Sequence, residues 1–439
     1  MSVSSPSVSE VPGGLSLRAN FLWTALGNVV YAGCQGGMLV VLAKVGSALM
    51  VGQFALGLAV ATPVITFANL QLRGVQATDA RGQYRFGDYL GLRLITTTLA
   101  FLVIGGIALL SRDRRDTALV VVAVGLAKAL ESISDVIYGL LQQHERMDRI
   151  AKSMMLKGPL SLAALGAGTV LTGSVLWGAV GLAGAWGLIL LRYDIPSGTL
   201  VLTAMPDGGS SAPAMVWRAL VCPPWQLRRL AGLAWLALPL GCVLMLISLQ
   251  PNIPRYFVEQ RGERALGIFA AIAYLQVAST TVVNALGQAA SPRLSKYYAA
   301  GNAQAFRMLL FKLVGFGAVF GTAGVVVALV AGREVLTLLF RPAYARQDVL
   351  VLLMVAAGIG YVASFLGYGM TAARYFRVQL PLVALVAGVT AIACAWLVPS
   401  DGLRGGATAL IMAAVVQASG SVLIVAYALR ARPWRVRSG

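Results

Sequence analysis

The sequence predicts an all-α polytopic membrane protein, with about 12 transmembrane helices in two six-helix bundles related by a pseudo-two-fold axis. Three observations predict it. The chain is 58% hydrophobic and only 12% charged, with a mean hydropathy of +0.78; soluble domains carry roughly 25% charged residues. Apolar stretches recur along the 439 residues, most of them near the roughly 20 residues that cross about 30 Å of hydrocarbon. A Pro/Gly-rich segment near the middle leaves six such stretches on each side.

The spans read as 20–43, 50–71, 90–110, 117–141, 154–173, 175–191, 231–253, 265–288, 312–331, 348–372, 379–398 and 405–429. Residues 1–17 are Ser/Pro/Gly-rich and are expected to be a disordered cytoplasmic N-terminus. They lack a basic n-region, and the apolar stretch after Arg18 is a full span, so no cleavable signal peptide is expected. Span 1 has a polar face of Thr24, Asn28, Tyr31 and Gln35, and span 2 one of Thr62, Thr66, Asn69 and Arg73. Span 4 carries Lys128, Glu131 and Asp135. Spans 5 and 6 are divided only by Thr172-Gly173-Ser174. These six spans make an N-terminal bundle, 18–191.

Residues 192–230 hold Pro196, Gly198, Pro206, Gly208, Pro213, Pro223 and Pro224, and read as a cytoplasmic linker. In the C-terminal bundle, 231–429, span 7 ends in Gln250-Pro251-Asn252-Ile253-Pro254-Arg255, where two prolines break the helix. Span 8 has a face of Gln276, Thr280, Asn284 and Gln288. Residues 430–439 form a basic cytoplasmic tail. Pro63, Pro159, Pro239 and Pro381, in or at the ends of spans, allow bending.

An internal repeat supports the division. A shift of 215 residues places Gly52, Phe54, Ala55, Thr66 and Asn69 on Gly267, Phe269, Ala270, Thr281 and Asn284. Six spans per unit give both units the same orientation, as parallel repeats about an axis normal to the membrane. The cavity between the two lobes is the natural substrate site.

Lys and Arg in short loops set orientation. With the N-terminus inside, 23 fall on the cytoplasmic side and 11 outside, Lys128 lying within span 4. Both termini are therefore expected in the cytoplasm. The net charge of +19 then reflects this bias and attraction to anionic lipid, and implies no nucleic-acid partner. Cys34, Cys222, Cys242 and Cys394 show no CxxC spacing, and His144 is the single histidine, in a loop. No metal site, disulfide framework, cofactor or built-in ATPase is implied. No outer loop is long enough for a catalytic domain, so the chain does not read as an enzyme.

Charges within spans are costly and mark candidate sites. Lys128, Glu131, Asp135, Tyr138 and Gln142 fall at i, i+3, i+7, i+10 and i+14, on one helix face. In one reading Lys128 meets an anionic substrate, and Glu131 or Asp135 exchanges a proton or cation. In the other, Lys128 and Glu131 neutralise each other and lock helix packing. Asn28, Gln35, Asn69 and Asn284 are candidates for a shared polar cavity; helix-to-helix bonding is the alternative. Arg255 is a candidate anion contact or an interfacial anchor. Arg18, Arg73, Arg93 and Arg374 sit at span ends as topology charges, and together could ring the entry for a phosphate headgroup.

Several segments resemble one known family. They are Asn20-Phe21-Leu22-Trp23 to Gly27-Asn28 with Tyr31 and Gln35, then Leu42-Ala43-Lys44-Val45-Gly46 with Val51-Gly52-Gln53-Phe54-Ala55-Leu56. Thr78-Asp79 through Tyr84-Arg85-Phe86-Gly87-Asp88-Tyr89 to Leu92-Arg93 is similar, as is Glu131-Ser132-Ile133-Ser134-Asp135 through Tyr138-Gly139, Gln142 and Glu145-Arg146-Met147-Asp148. Asn252-Ile253-Pro254-Arg255-Tyr256-Phe257 and Leu266-Gly267-Ile268-Phe269 fit the same pattern. The chain resembles bacterial polysaccharide or O-antigen repeat-unit flippases of the multidrug/oligosaccharidyl-lipid/polysaccharide exporter superfamily.

The resemblance implies a MATE-like exporter fold, a mainly cationic central cavity and a location in the bacterial cytoplasmic membrane. The implied substrate is an oligosaccharide on a polyprenyl diphosphate of undecaprenyl type, moved from the inner to the outer leaflet by alternating access. A polysaccharide polymerase or ligase is the candidate protein partner. Lys128, Arg73, Arg255 and Arg374 are the cations expected to meet the diphosphate. The competing expectation is a cation-coupled multidrug antiporter of the same superfamily, which wants an acidic cavity.

Overall fold

Backbone in hydrocarbon must satisfy its own hydrogen bonds, and a helix does so within one segment. A computed structural model of the chain describes residues 17–77, 79, 83–110, 115–203, 226–373 and 376–430, and no strand occurs among them. The helices are α1 (Leu17–Val45), α2 (Ala48–Ala68), α3 (Leu72–Ala77), α4 (Phe86–Leu110), α5 (Arg115–Gln143), α6 (Met147–Thr172) and α7 (Val175–Ile189). A π-helical turn (Leu190–Asp194) joins α7 to α8 (Ile195–Thr203). There follow α9 (Leu227–Leu249), α10 (Ile253–Glu259), α11 (Glu263–Ala299), α12 (Ala303–Leu339), a 3-10 turn (Pro342–Tyr344), α13 (Gln347–Ala372), α14 (Phe376–Asp401) and α15 (Leu403–Arg430).

Among the described residues, 11 helical stretches are long and apolar enough to cross a membrane, α2–α3 and α7–α8 each counting as one. The remaining long helix, α5, is the one that carries Lys128, Glu131 and Asp135. It completes the expected set of spans. Gly173, at φ +66°, separates α6 from α7 where the short Thr172-Gly173-Ser174 break was read. The longest helices, α11 and α12, have 37 residues each, so each extends about 55 Å at 1.5 Å per residue and outruns the hydrocarbon. Asn302 caps α12 by accepting the Ala305 amide at 2.9 Å.

The expected linker, 192–230, is partly helix. The π turn carries α7 straight into α8, and α9 begins at Leu227; residues 204–225 lie outside the described set. Pro196 lies two residues past the π turn, inside a continuous helix where the hydrogen-bond register is already shifted. Gly198 packs against Ile137 of α5. Two residues that read as punctuation thus lie within a helix that continues past the expected break.

The chain packs as two units. One is residues up to Gly37, Val64–Thr172 and Leu176–Leu244; the other is Met38–Pro63, Gly173–Val175 and the chain from Met245 onward. The division does not follow the boundary expected between 191 and 231. In the first unit, Leu72 of α3, Tyr89 and Leu92 of α4, Val136 of α5 and Leu233 of α9 form one core cluster. In the second, Phe306, Leu310 and Leu313 of α12 pack with Tyr361 and Phe365 of α13.

Part of α2 belongs to the second unit, where it crosses α11 closely. A Cβ on Gly52 would fall on the carbonyl oxygen of Glu263, and a Cβ on Gly267 on the carbonyl oxygen of Ala48. A shift of 215 residues carries Ala48 to Glu263 and Gly52 to Gly267. The two contacts are therefore one contact met from either repeat, the reciprocity that a two-fold axis through the crossing requires. Backbone meets backbone there with no side chain to yield. Gly52→Ala and Gly267→Ala are each expected to cost several kcal/mol, the scale of overpacking and strain. Gly105 of α4 has open space at its Cβ position, so Gly105→Ala is expected to be neutral or stabilising by up to about 1 kcal/mol. Melting temperatures of the purified variants check this ordering.

Candidate functional site

The first unit contains a cavity of about 250 Å3 lined by Ile65 of α2, Asn69 in the turn after it, Arg73 of α3, Lys128, Glu131, Ser132, Asp135 and Tyr138 of α5, Tyr31 of α1, and Met154 and Lys157 of α6. The charged face of α5 is its main wall.

Backbone geometry brings the other walls in. Leu70 and Gln71 hold positive φ, +48° and +53°, a strained conformation for residues with a Cβ. This turn breaks α2 from α3, and Asn69 and Arg73 flank it, both on the cavity. Gly139 of α5 lets α3 approach closely; a Cβ there would crowd Gln76 and the Cα of Arg73. Gly158 of α6 does the same for α1 at Tyr31 and Cys34.

The charges are paired in three groups. Lys128 Nζ donates to Glu131 Oε2 at 2.8 Å, Tyr31 donates to Glu131 Oε1 at 2.6 Å, and the Lys128 ammonium lies 5.2 Å from the Trp186 ring centroid. Asp135 takes two arginines: Arg93 Nη2 at 3.1 Å and Arg73 Nη1 at 3.5 Å. Arg93 also donates to Asn69 and Ser132, and Arg73 Nε donates to Gln142 at 3.0 Å. Lys157 Nζ donates to Asp194 Oδ2 at 2.8 Å and to the Tyr138 hydroxyl at 2.9 Å.

These groups differ in wetness. The side chains of Lys128 and Glu131 are 19% and 29% exposed, those of Lys157 and Asp194 only 2% and 1%. Arg93 is fully buried behind Asp135. The wet cations can exchange a carboxylate for a ligand anion, since water and ligand reach them. A cluster of guanidinium and ammonium groups around one cavity suits a phosphate-like anion.

The sequence-based candidates separate. Lys128, Arg73, Asn69, Glu131 and Asp135 meet at this cavity. The Lys128–Glu131 pairing is the one the structural reading anticipated, yet both groups also line the cavity. Asn28 is exposed elsewhere on α1, and Gln35 is half-buried with its Nε2 unpartnered. Asn284 and Arg255 belong to the second unit. There Arg255 donates to Asn252 at 3.0 Å, and the Asn284 side chain is exposed. Arg374, and with it part of the expected entry ring, lies outside the described residues. Thr24 and Thr280, on the polar faces of spans 1 and 8, bond their own helix backbone.

Arg93, counted as a topology charge, is instead the buried anchor of Asp135. Lys157, likewise counted as a topology charge, and Asp194, placed in the linker, are site residues that sequence reasoning missed. The motif around Asp79 and Asp88 has a structural role. Asp79 accepts the amides of Gln83 and Tyr84 and the Tyr89 hydroxyl. Asp88 accepts the Arg85 amide at 3.0 Å, half of a capping box that starts α4. Outside the spans, the hydrogen bonds that Arg146 makes with Asp148 raise the affinity of its guanidinium for the proton.

No family model matches the chain. It is 25% identical over 407 residues to the capsular polysaccharide biosynthesis protein CapF of Staphylococcus aureus, covering 88% of this chain and 94% of CapF. In three dimensions it is similar to the lipid II flippase MurJ, with a TM-score of 0.68 at 9% identity, over 92% of this chain and 87% of MurJ. An inward-facing MATE-family multidrug resistance transporter of the MOP superfamily gives a TM-score of 0.63 at 16% identity, over 96% and 98%. The Vibrio cholerae MATE transporter VcmN gives 0.56 at 14% identity, over 95% and 97%. The chain thus has the two-bundle, MATE-like exporter fold of a multi-pass membrane protein. The sequence relative is named for capsular polysaccharide biosynthesis, and the solved structures share the exporter fold.

The pairing sets an order of tolerance. Asp135→Asn leaves Arg93 buried without a counter-charge, a loss on the scale of about 3–5 kcal/mol. Glu131→Gln leaves Lys128 with access to cavity water and is expected to be milder. Thermal unfolding in detergent checks this; equal melting temperatures for the two variants would contradict the assignment of Arg93 as the buried anchor.

Proposed function

We propose that this protein is a flippase for polyprenyl-diphosphate-linked oligosaccharide repeat units, serving surface polysaccharide biosynthesis. It moves them from the inner to the outer leaflet of the bacterial cytoplasmic membrane by alternating access, with both termini cytoplasmic. It carries its substrate without a chemical step and delivers it to a polysaccharide polymerase or ligase. The observation that carries the reading is the cavity itself: Arg73, Lys128 and Lys157 line it against Glu131 and Asp135, with Arg93 behind. Cations in excess suit a diphosphate and disfavour a cationic drug, which sets the multidrug antiporter second. The relation to CapF and the fold shared with MurJ support the same reading.

The cavity volume narrows the contact. About 250 Å3 falls below the roughly 300–1,000 Å3 that encloses a drug-sized ligand. It has room for a phosphate headgroup and not for an oligosaccharide. With the cell interior negative, outward movement of each negative charge is favoured by about 2.3 kcal/mol per 100 mV.

Of the two candidate carboxylates, Glu131 supplies the coupling, since Asp135 balances the fully buried Arg93. When Glu131 takes up a proton, Lys128 loses its counter-charge and is free for the substrate anion. Anion binding therefore strengthens as pH falls through the titration of that carboxylate. In Glu131→Gln, transport is expected to lose its pH dependence; a pH profile like that of the wild type would exclude Glu131 from coupling.

The direct test is leaflet accessibility of lipid-linked glycan in cells with and without the protein, beside Lys128→Ala. Glycan is expected to accumulate on the cytoplasmic face without the protein, and with a folded Lys128→Ala variant. Glycan reaching the outer leaflet regardless, in cells with no redundant flippase, would overturn the flippase and move the antiporter to first place.

A further inference from the structure

Lys157 is the cation of the cavity that neither its sequence context nor the proposed mechanism explains. It lies about three turns into α6, it is 2% exposed, and it lines the cavity. Its partners form a closed ring. Lys157 Nζ donates to Asp194 and to the Tyr138 hydroxyl, Tyr138 and Ser153 share a hydrogen bond of 2.7 Å, and Ser153 donates to Asp194. The Tyr138 ring joins this ring to the rest of the site, with the Lys157 ammonium 5.0 Å and the Arg73 guanidinium 5.6 Å from its centroid.

A buried ion pair is a poor source of stability, and charges at membrane depth are costly. This one is reached by a π-helical turn that ends at Asp194. Such turns are rare, insert an extra residue into a helix, and occur often at functional sites. The extra residue turns Asp194 onto α6 while Arg192 stays exposed. An ammonium group has three donors, and two are used here. The third has no partner among the described residues, and the group sits on the cavity wall.

We infer that Lys157 is a masked third cation of the anion site. Asp194 holds its charge in balance while the cavity is empty, and a second phosphate of the ligand takes up the free donor when it is filled. Arg73 and Lys128 hold the first phosphate. The site therefore discriminates a diphosphate from a single phosphate, and Asp194 is a positioning residue that acts through Lys157. This inference rests on reading the cavity as the headgroup site.

The test uses the full chain in nanodiscs of zwitterionic lipid, titrated calorimetrically with inorganic pyrophosphate and with inorganic phosphate. The decisive variant is Lys157→Gln combined with Asp194→Asn, which replaces the ion pair by neutral groups that can keep the hydrogen-bonded ring and the fold. The wild type is expected to prefer pyrophosphate by about tenfold or more. The double variant, melting as the wild type does, is expected to lose that preference while its phosphate affinity stays within about twofold. A double variant that keeps the preference overturns the role of Lys157 and leaves the anion site standing. A wild type that binds neither anion overturns the anion site, and the inference with it.

Discussion

Hydrocarbon does not tolerate an isolated charge, and the first unit of this protein is organised around that fact. Its helices bring four cations and three carboxylates to one place, and every one of the seven has a partner: Lys128 with Glu131, Arg73 and Arg93 with Asp135, Lys157 with Asp194. Pairing decides which helices must touch. Asp135 can be satisfied only if α3 and α4 both pack on α5, and Asp194 only if the end of α7 reaches α6. The close approaches at Gly139 and Gly158 serve the same demand, because Arg73 and Tyr31 must both reach carboxylates of α5. The strained turn at Leu70 and Gln71 is tolerated in this setting. It aims Asn69 and Arg73 at the same carboxylate-bearing face.

The repeat shows that this chemistry is local and not a property of the fold. The two halves keep a reciprocal backbone crossing at Gly52 and Gly267, and they keep Asn69 and Asn284 at matching positions. They do not keep the charges. The fourth span of the second half, α13, has no Lys, Arg, Asp or Glu after Asp348, where α5 has three in its middle. Its core is instead an aromatic cluster in which Phe320 lies 5.6 Å from Tyr361 and Phe316 makes an edge contact with Phe365. Asn69 accepts from Arg93 and Ser132, whereas the Asn284 side chain is exposed. The architecture is two-fold, and the cavity with its paired charges lies in the first unit.

Sequence reading recovered what hydropathy and helix periodicity control. The spans, the divide at Gly173, the broken helix before Arg255 and the single charged face of α5 all follow from residue spacing. What it missed turns on events that spacing does not encode. Lys157 lies inside an apolar span and met the rule that such charges mark sites, but its place near the basic end of α6 made it look like a topology charge. Asp194 follows the last apolar residue of its span beside proline and glycine, and only the π turn shows that the helix continues. Arg93 looked like a span-end charge because its acceptors, Asn69, Ser132 and Asp135, come from the turn after α2 and from α5. Asn284 and Arg255 became candidates through residue type and the repeat, and the structure places both in the second unit, an assignment that residue type does not encode.

The unequal numbers in the cluster constrain any anion that binds there. Four cations and three carboxylates leave one positive charge in excess. A diphosphate carries at least two negative charges, so binding it with every carboxylate ionised would leave the site with net negative charge in a low-dielectric setting. Neutrality is restored if one carboxylate takes up a proton. Asp135 is a poor candidate, because it balances the fully buried Arg93. Asp194 is 1% exposed and closed off by its ring. Glu131 remains: it is 29% exposed and faces the cavity, and its partner Lys128 is the cation that the ligand engages. On the proposed function, charge balance alone therefore makes headgroup and proton arrive together, and it places the proton on Glu131.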